Sequence, residues 1–511
     1  MSIDQSPLAA RVVIDPAARV GPVKRRLFGS FVEHLGRCVY TGIYEPGHPT
    51  ADEDGFRGDV LALTQELGVS VVRYPGGNFV SNYRWEDGVG PRDHRPVRRD
   101  LAWRTIETNE FGADEFIKWT GRAGVEPMLA LNLGTRGVAE ALDLLEYSNH
   151  PAGTTLSDLR VANGTPDPHG VRLWCLGNEL DGPWQTGHKT AAEYGRLAAE
   201  TARAMRQAEP DLELVACGSS HSSMPTFGSW EATVLEEAYD VVDYISLHAY
   251  YEEHDGDPGS FLASAVDMDR FIDAVTATAD HVRAKLGASK RINLSFDEWN
   301  VWYITRFQRD GPEPGWPRAP RLLEDRYSVT DAVVVGNLLI SLLRHADRVA
   351  VACQAQLANV IAPIMTEPGG TAWRQSTFHP FAETSRYASG DVLRLAIDAP
   401  SYETERFGEV PLVDAVATSD DAGAVLFVVN RSLDATVQLT VDTRPLGDQV
   451  AAVGCLQVAD ADRHASNTAA DPDRVRPRTL SLPPPDVDGE IVVPLAPVSW
   501  TMVRLTQGLK T

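Results

Sequence analysis

No apolar run in the chain approaches the about 20 residues a membrane-crossing helix requires, so no such helix is expected. Basic residues are scarce too. Lys and Arg number 47 against 71 Asp and Glu, giving a formal net charge of −24. That balance repels phosphate backbones and anionic lipid surfaces, so neither nucleic acid nor a membrane is expected as a partner, while neutral sugars are unaffected. The one locally positive stretch, Arg95 to Arg104, is interrupted by Pro96 and Asp100 and reads as a loop. Cysteine is nearly absent. Cys38, Cys175, Cys217, Cys353 and Cys455 are odd in number, widely spaced and mostly set in apolar segments. They suit buried, reduced side chains better than a disulfide frame or a zinc site. The first residues, Met1 to Pro7, carry neither the basic nor the apolar region of a secretory signal, so a cytoplasmic location is expected. The sequons at Asn163, Asn293 and Asn430 then carry little meaning.

What the chain does contain is a repeated rhythm. A length of 511 residues suggests two to three domains, and 43% apolar residues can supply a sizeable core. From about residue 25 to residue 380, apolar runs alternate with amphipathic segments in the manner of βα units. Strands are predicted at Leu27 to Glu33, Val69 to Tyr74, Pro127 to Asn132, Arg172 to Gly177, Leu212 to Cys217, Val242 to His248, Arg291 to Phe296 and Val349 to Ala355. Eight such units imply a (β/α)8 barrel. Helices are predicted at Ala192 to Glu209 and Tyr327 to His345, where apolar residues recur at helical spacing.

After about residue 385 the period turns to strict alternation, which predicts an all-β sandwich with strands at Pro411 to Ser419, Gly423 to Val429, Ala435 to Val441, Glu490 to Leu495 and Val498 to Leu505. Arg11 to Ile14 reads as one more strand that could join it. The expected division is therefore 1–20 with the sandwich, 21–384 as the barrel and 385–511 as the sandwich proper. Asp460 to Asp486 reads as an exposed loop. Thr305 to Asp325 is too rich in Pro and Gly for a helix, and its Trp316 is expected to overhang the pocket as a lid.

The predicted strand ends are unusually polar. They include Glu33-His34, Arg73 to Asn78, Asn132, Asn178-Glu179, Ser219 to His221, His248 to Tyr250, Glu298 to Asn300 and Gln354 to Gln356. Buried polar groups cost free energy unless paired, so gathering them at one end of every strand suits a site better than a core. Two blocks, Trp174 to Glu179 and Ser295 to Asn300, each end an apolar run in a glutamate beside Asn or Asp. Two carboxyl groups across one pocket suit glycoside hydrolysis, one protonating the leaving oxygen and the other meeting the sugar carbon. Pro75-Gly76-Gly77-Asn78 lacks the Lys-Ser/Thr of a phosphate loop and the spacing of a dinucleotide fingerprint. No His-Glu-x-x-His or clustered Cys/His pattern points to a catalytic metal, and no cofactor is expected.

At longer blocks the chain resembles the family 51 glycoside hydrolases, specifically the intracellular bacterial α-L-arabinofuranosidases. The resemblance runs nearly end to end, through Phe28 to Arg37, Gly42 to Pro49, Arg73 to Phe79, Trp174 to Gly182, Asp297 to Trp302 and Ala355 to Ile364. It implies a barrel plus sandwich, an exo-acting retaining site for a terminal furanose of arabinose-containing oligosaccharides, and a homo-oligomer, usually a hexamer. By position Glu179 matches the family's acid/base and Glu298 its nucleophile. Asn178 would bond the sugar 2-hydroxyl, Arg73 and Tyr250 would hold Glu298 ionised and aligned, and Glu33 and Asn78 would grip furanose hydroxyls. Trp103, Trp302 and Tyr250 would wall the ring, with Gln356 nearby. His248 fits either a neighbour of the catalytic pair or a satisfied core histidine, and Cys38 lies on a loop close to the pocket. Two rivals remain: an endo-acting β-glucanase or xylanase on the same scaffold, marked by a long open cleft, and a carbohydrate-binding protein with a dead site.

Overall fold

The computed structural model describes residues 8–311, 314–447 and 450–506. Eight parallel strands close into a barrel in sequence order: β1 (Gly29–Phe31), β2 (Val71–Tyr74), β3 (Glu126–Ala130), β4 (Leu173–Leu176), β5 (Glu213–Ala216), β6 (Tyr244–Tyr251), β7 (Asn293–Val301) and β8 (Val349–Ala355). Each coincides with one predicted apolar run. β4 and β8 are buried at every residue, as expected for strands packed inwardly on neighbouring side chains and outwardly on helices. The predicted helices fall at Ala191–Ala208 and Val329–Arg344. Both begin at a capping box: Thr190 with Glu193, and Ser328 with Asp331.

The sandwich consists of two sheets. One has four strands in the order Ala396–Asp398, Leu8–Val13, Val437–Asp442 and Glu490–Leu495, with Leu8–Val13 parallel to Val437–Asp442. The other has seven strands, with Val413–Asp420, Gly423–Asn430 and Ser499–Thr506 at its centre. Those central strands are apolar on both faces. Ala415, Ala417, Leu426, Val428, Val503 and Leu505 pack between the two sheets, while Val416, Phe427, Val429, Trp500 and Met502 join the barrel's core. The helix Val329–Arg344, buried almost all round, is the element between them. Trp500 leaves no room for a side chain at Gly336 of that helix, where a Cβ would lie 2.3 Å from the indole. A buried polar cluster crosses the same seam: Arg431 bonds Asp414 Oδ2 at 2.9 Å and Asn337 Oδ1 at 2.7 Å, and Arg344 bonds the other oxygen of Asp414.

Three expectations need correction. Thr305 to Asp325 begins with a short helix, Ile304–Asp310, because the Pro and Gly residues lie only after it. Trp316 stands beneath the Arg99 guanidinium, 5.3 Å from its ring centre, and is not among the residues lining the pocket. The stretch Asp460 to Asp486 is not simply exposed: Ala465, Asn467 and Val475 are buried, and the Ala465 carbonyl accepts the backbone N–H of Val329. The C-terminal part also contains strands the alternation did not reveal: Ala451–Val458 in the seven-stranded sheet, and the hairpin Ser401–Thr404 with Gly408–Pro411, which forms a two-stranded sheet of its own.

Candidate active site

The carboxyl ends of the barrel strands surround a cavity of ≈ 630 Å³, within the range of small-molecule sites. Glu179, just after β4, and Glu298, within β7, both line it. One carboxylate oxygen from each, together with a ring nitrogen of His248, all lie within 4.8 Å of one another. Glu179 holds φ at 44°, a conformation costing a non-glycine residue about 1–2 kcal/mol, here spent where the side chain meets its partners.

A local irregularity of the sheet explains how so many charged groups converge. Between β6 and β7 the register runs from Ser246 opposite Ser295 to His248 opposite Glu298, so three residues of β7 match two of β6. This bulge lets the consecutive Asp297 and Glu298 both reach His248, which a regular strand would prevent by sending them to opposite faces. His248 Nε2 lies 2.9 Å from Asp297 Oδ1, and Nδ1 lies 2.9 Å from Glu179 Oε1 and 3.7 Å from Glu298 Oε2. Burial opposes the charged ring, yet the carboxylates of Glu298, Asp297 and Glu179 prevail and raise its pKa to about 10. Of its two readings, His248 is therefore a neighbour of the carboxyl pair. Asp297, also buried, is held below the usual carboxylate range because Arg73 and His248 outweigh the burial.

Glu298 receives two further donors. Arg73 Nη1 donates to Oε1 at 2.6 Å and the Tyr250 hydroxyl donates to Oε2 at 2.7 Å. The other arm of Arg73, Nη2, donates to Asn178 Oδ1 at 2.7 Å, leaving the buried Asn178 Nδ2 without a protein partner. A buried amide donor left unpaired beside the carboxyl pair is a place for a ligand acceptor. Glu179 is placed differently. Burial pushes its carboxyl above the usual range and the charge of Glu298 adds to this, while His248 and the indole N–H of Trp184, 2.7 Å from Oε2, pull it back. Both carboxyls are buried, but Glu298 receives a cation and a phenol donor at close range while Glu179 is raised by burial and by the charge of Glu298.

Glu33 lies deeper in the cavity. Its carboxyl accepts from Phe79 N at 2.9 Å, Trp103 Nε1 at 2.9 Å and Gln356 Nε2 at 3.1 Å. Burial pushes it up to about 8, with the charge of Glu298 adding, while the three N–H donors favour the anion. The backbone passes close by: a Cβ on Gly76, whose φ is 152°, would meet Glu33 Cγ at 2.6 Å. Asn78 follows this turn and lines the cavity. Trp302 stands edge-on to Tyr250, ring centres 5.1 Å apart, and Gln356 Oε1 is buried without a partner.

Asn178 is tied to the cavity through Arg73, and the other ten of the eleven predicted residues line it or are bonded to a group that does. Cys38 does not: it is fully buried outside the lining, and burial pushes its thiol up to about 12. Residue reasoning missed Asp297, hidden by the bulge, and Trp184, which a loop after β4 returns to Glu179. Trp184 stacks on His221 with ring centres 6.1 Å apart. Oxygens of Glu179 and Glu298 and a ring nitrogen of His248 are close enough to share a cation.

Two domain families of α-L-arabinofuranosidases match, the "α-L-arabinofuranosidase 1 domain" over residues 63–273 and the "α-L-arabinofuranosidase C-terminal domain" over residues 297–499. An intracellular exo-α-(1→5)-L-arabinofuranosidase of Streptomyces lividans is 62% identical over 501 residues, covering 97% of this chain and 75% of that one. An exo-α-(1→6)-L-arabinofuranosidase of Bifidobacterium longum is 55% identical, covering 97% of each. Among solved structures, a family 51 α-L-arabinofuranosidase from Bifidobacterium longum superposes with a TM-score of 0.94 at 49% identity, covering 98% of this chain and 100% of that one. The chain belongs to the family 51 α-L-arabinofuranosidases. The α-L-arabinofuranosidase of Thermotoga maritima, solved as an arabinose complex, superposes with a TM-score of 0.84 at 33% identity, covering 97% and 99%. Among the described residues, no helix is long and apolar enough to cross a membrane.

Proposed function

We propose that this family member removes terminal, non-reducing α-L-arabinofuranosyl units from arabinose-containing oligosaccharides by double displacement. The observation that carries the mechanism is the closeness of the two carboxyls. Oxygens of Glu179 and Glu298 within 4.8 Å of each other suit the about 5–5.5 Å carboxyl spacing of a retaining enzyme and leave too little room to seat a water for direct attack. Glu298, aligned by Arg73 and Tyr250, attacks the anomeric carbon. Glu179, whose carboxyl is pushed up by burial and by the charge of Glu298, donates its proton to the departing oxygen. A glycosyl ester on Glu298 results, and Glu179, now a carboxylate, takes a proton from the water that hydrolyses it.

The remaining residues bind the sugar. The unpaired Asn178 Nδ2 is the donor for the 2-hydroxyl, a contact that strengthens as positive charge develops at the anomeric carbon. Glu33, steadied by Trp103 and Gln356, accepts from vicinal hydroxyls together with Asn78, while Tyr250, Trp302 and Trp103 supply the walls. His248 is a positioning residue whose Nδ1 holds Glu179 and whose Nε2 holds Asp297, the residue before Glu298. We further propose a cytoplasmic location, in keeping with five free, buried cysteines, and a hexameric assembly, in keeping with the family resemblance.

Replacing Glu298 with Ala and supplying azide tests the assignment. Hydrolysis of an aryl arabinofuranoside is expected to fall by several orders of magnitude, and azide is expected to restore turnover with formation of the inverted arabinosyl azide. Near-normal hydrolysis without azide rejects the role.

A further inference from the structure

The furanose-binding groups account for only part of the cavity, since a single pentose leaves much of ≈ 630 Å³ unfilled. The rest of the wall includes a residue from the other end of the chain. Arg406 lies at the turn of the hairpin formed by Ser401–Thr404 and Gly408–Pro411, a part of the sandwich end that reaches back to the barrel. Two bonds dock the hairpin on the segment after β6: the Tyr402 hydroxyl donates to Gly259 O at 2.9 Å, and Arg406 N donates to Ser260 Oγ at 3.2 Å. The turn is closed from within, where Thr404 Oγ1 accepts from Phe407 N at 3.0 Å and donates to Gly408 O at 2.8 Å. The Phe407 ring lies beneath two guanidiniums, Arg406 at 5.5 Å and Arg270 at 5.9 Å. A fixed backbone therefore carries an exposed cation whose N–H groups have no hydrogen-bond or ion-pair partner among the described residues.

Contacts around the cavity place this cation with respect to the scissile bond. Trp184, which donates to Glu179, stacks on His221. Next to His221, Ser222 Oγ donates to Asp267 at 3.4 Å, and the Tyr251 hydroxyl donates to the same carboxylate at 3.2 Å. Asp267 and Arg406 line the cavity together. This run leads away from the acid/base, which faces the departing oxygen. Glu33, Asn78 and Gln356 line the same cavity, and among the described residues no side-chain hydrogen bond links them to this run.

We propose that Arg406 is a specificity-determining residue contributed by the sandwich, which hydrogen-bonds a neutral sugar on the leaving-group side of the bond being cut. The inference rests on the arabinofuranosidase reading and extends it to the rest of the substrate. A guanidinium supplies donors and Asp267, on the wall of the same cavity, supplies acceptors, a pairing suited to the vicinal hydroxyls of an uncharged saccharide. A p-nitrophenyl leaving group enters the same side but offers no hydroxyls to this pair.

The test compares two substrates, p-nitrophenyl α-L-arabinofuranoside and linear arabinotriose, on the full-length protein and its Arg406→Ala variant. For the variant, kcat/KM on arabinotriose is expected to fall roughly threefold to tenfold, mainly through KM, the size of one exposed charge-assisted hydrogen bond. On the aryl substrate it is expected to stay unchanged, and Arg406→Lys is expected to recover part of the loss. Equal losses on both substrates, or no loss on either, overturn the inference while leaving the enzyme's activity standing. A wild-type protein inert towards both overturns the arabinofuranosidase reading and this inference with it.

Discussion

His248 tunes how Glu179 responds to pH. Its ring carries charge well above its ordinary range, and both that charge and its bond to Glu179 pull the Glu179 carboxyl downward. Glu179 must be protonated to act as the acid, so its deprotonation forms the alkaline limb of kcat/KM. In the variant His248→Asn the carboxyl loses a cation while burial and the charge of Glu298 continue to push it up. The alkaline limb is therefore expected to move to higher pH, with a lower kcat because the pair is less well aligned; a pH–rate series checks this, and an unmoved limb contradicts it. At this scale much was legible from residue types at strand ends. Glu179, Glu298, Arg73, Asn178 and Tyr250 each sit where an apolar run gives way to polar residues, which is a local signal. Asp297 was not legible as a partner of His248, because strand alternation assigns it to the opposite face and only the bulge in β7 reverses that. Trp184 and Arg406 were missed for another reason: each is brought in by a loop or hairpin whose path no short-range pattern reports.

The barrel strands were legible as elements because burial on both faces demands continuous apolar runs bounded by polar ends. Two groups of C-terminal strands were not. Ala451–Val458 mixes small and partly exposed residues around Gly454, and the hairpin Ser401–Thr404 with Gly408–Pro411 is mostly exposed, so neither carries a clean alternation. The helix Val329–Arg344 was recognised, but its apolar residues all round indicated burial without naming what buries it. Its partner is the seven-stranded sheet, and Gly336 is where the two approach most closely, against Trp500. Gly336→Ala places a methyl group 2.3 Å from the indole, and a backbone or ring shift is needed to admit it. A loss of about 1–3 kcal/mol is expected, the usual range for overpacking, despite alanine's better helix propensity. Thermal inactivation checks it: the variant is expected to lose activity at a lower temperature, and an unchanged or higher midpoint contradicts the close contact.

For the whole molecule, the sandwich holds the barrel by an apolar face and the Arg431–Asp414–Asn337 cluster, and it also sends a hairpin to the active-site rim. Composition foretold none of this coupling, because its hydrogen bonds join residues up to 146 positions apart in sequence. The proposed hexameric assembly is checked by sedimentation equilibrium, where a monomer's mass of 55.7 kDa rejects it. The account as a whole depends on Glu179 and Glu298 acting on one anomeric carbon through a covalent ester. The most direct measurement is the anomeric configuration of the methyl arabinofuranoside formed when an aryl α-L-arabinofuranoside is cleaved in the presence of methanol, followed by proton NMR. Double displacement predicts the α-anomer as the initial product; the β-anomer would mean a single displacement by the acceptor and would contradict the roles given to both carboxyls.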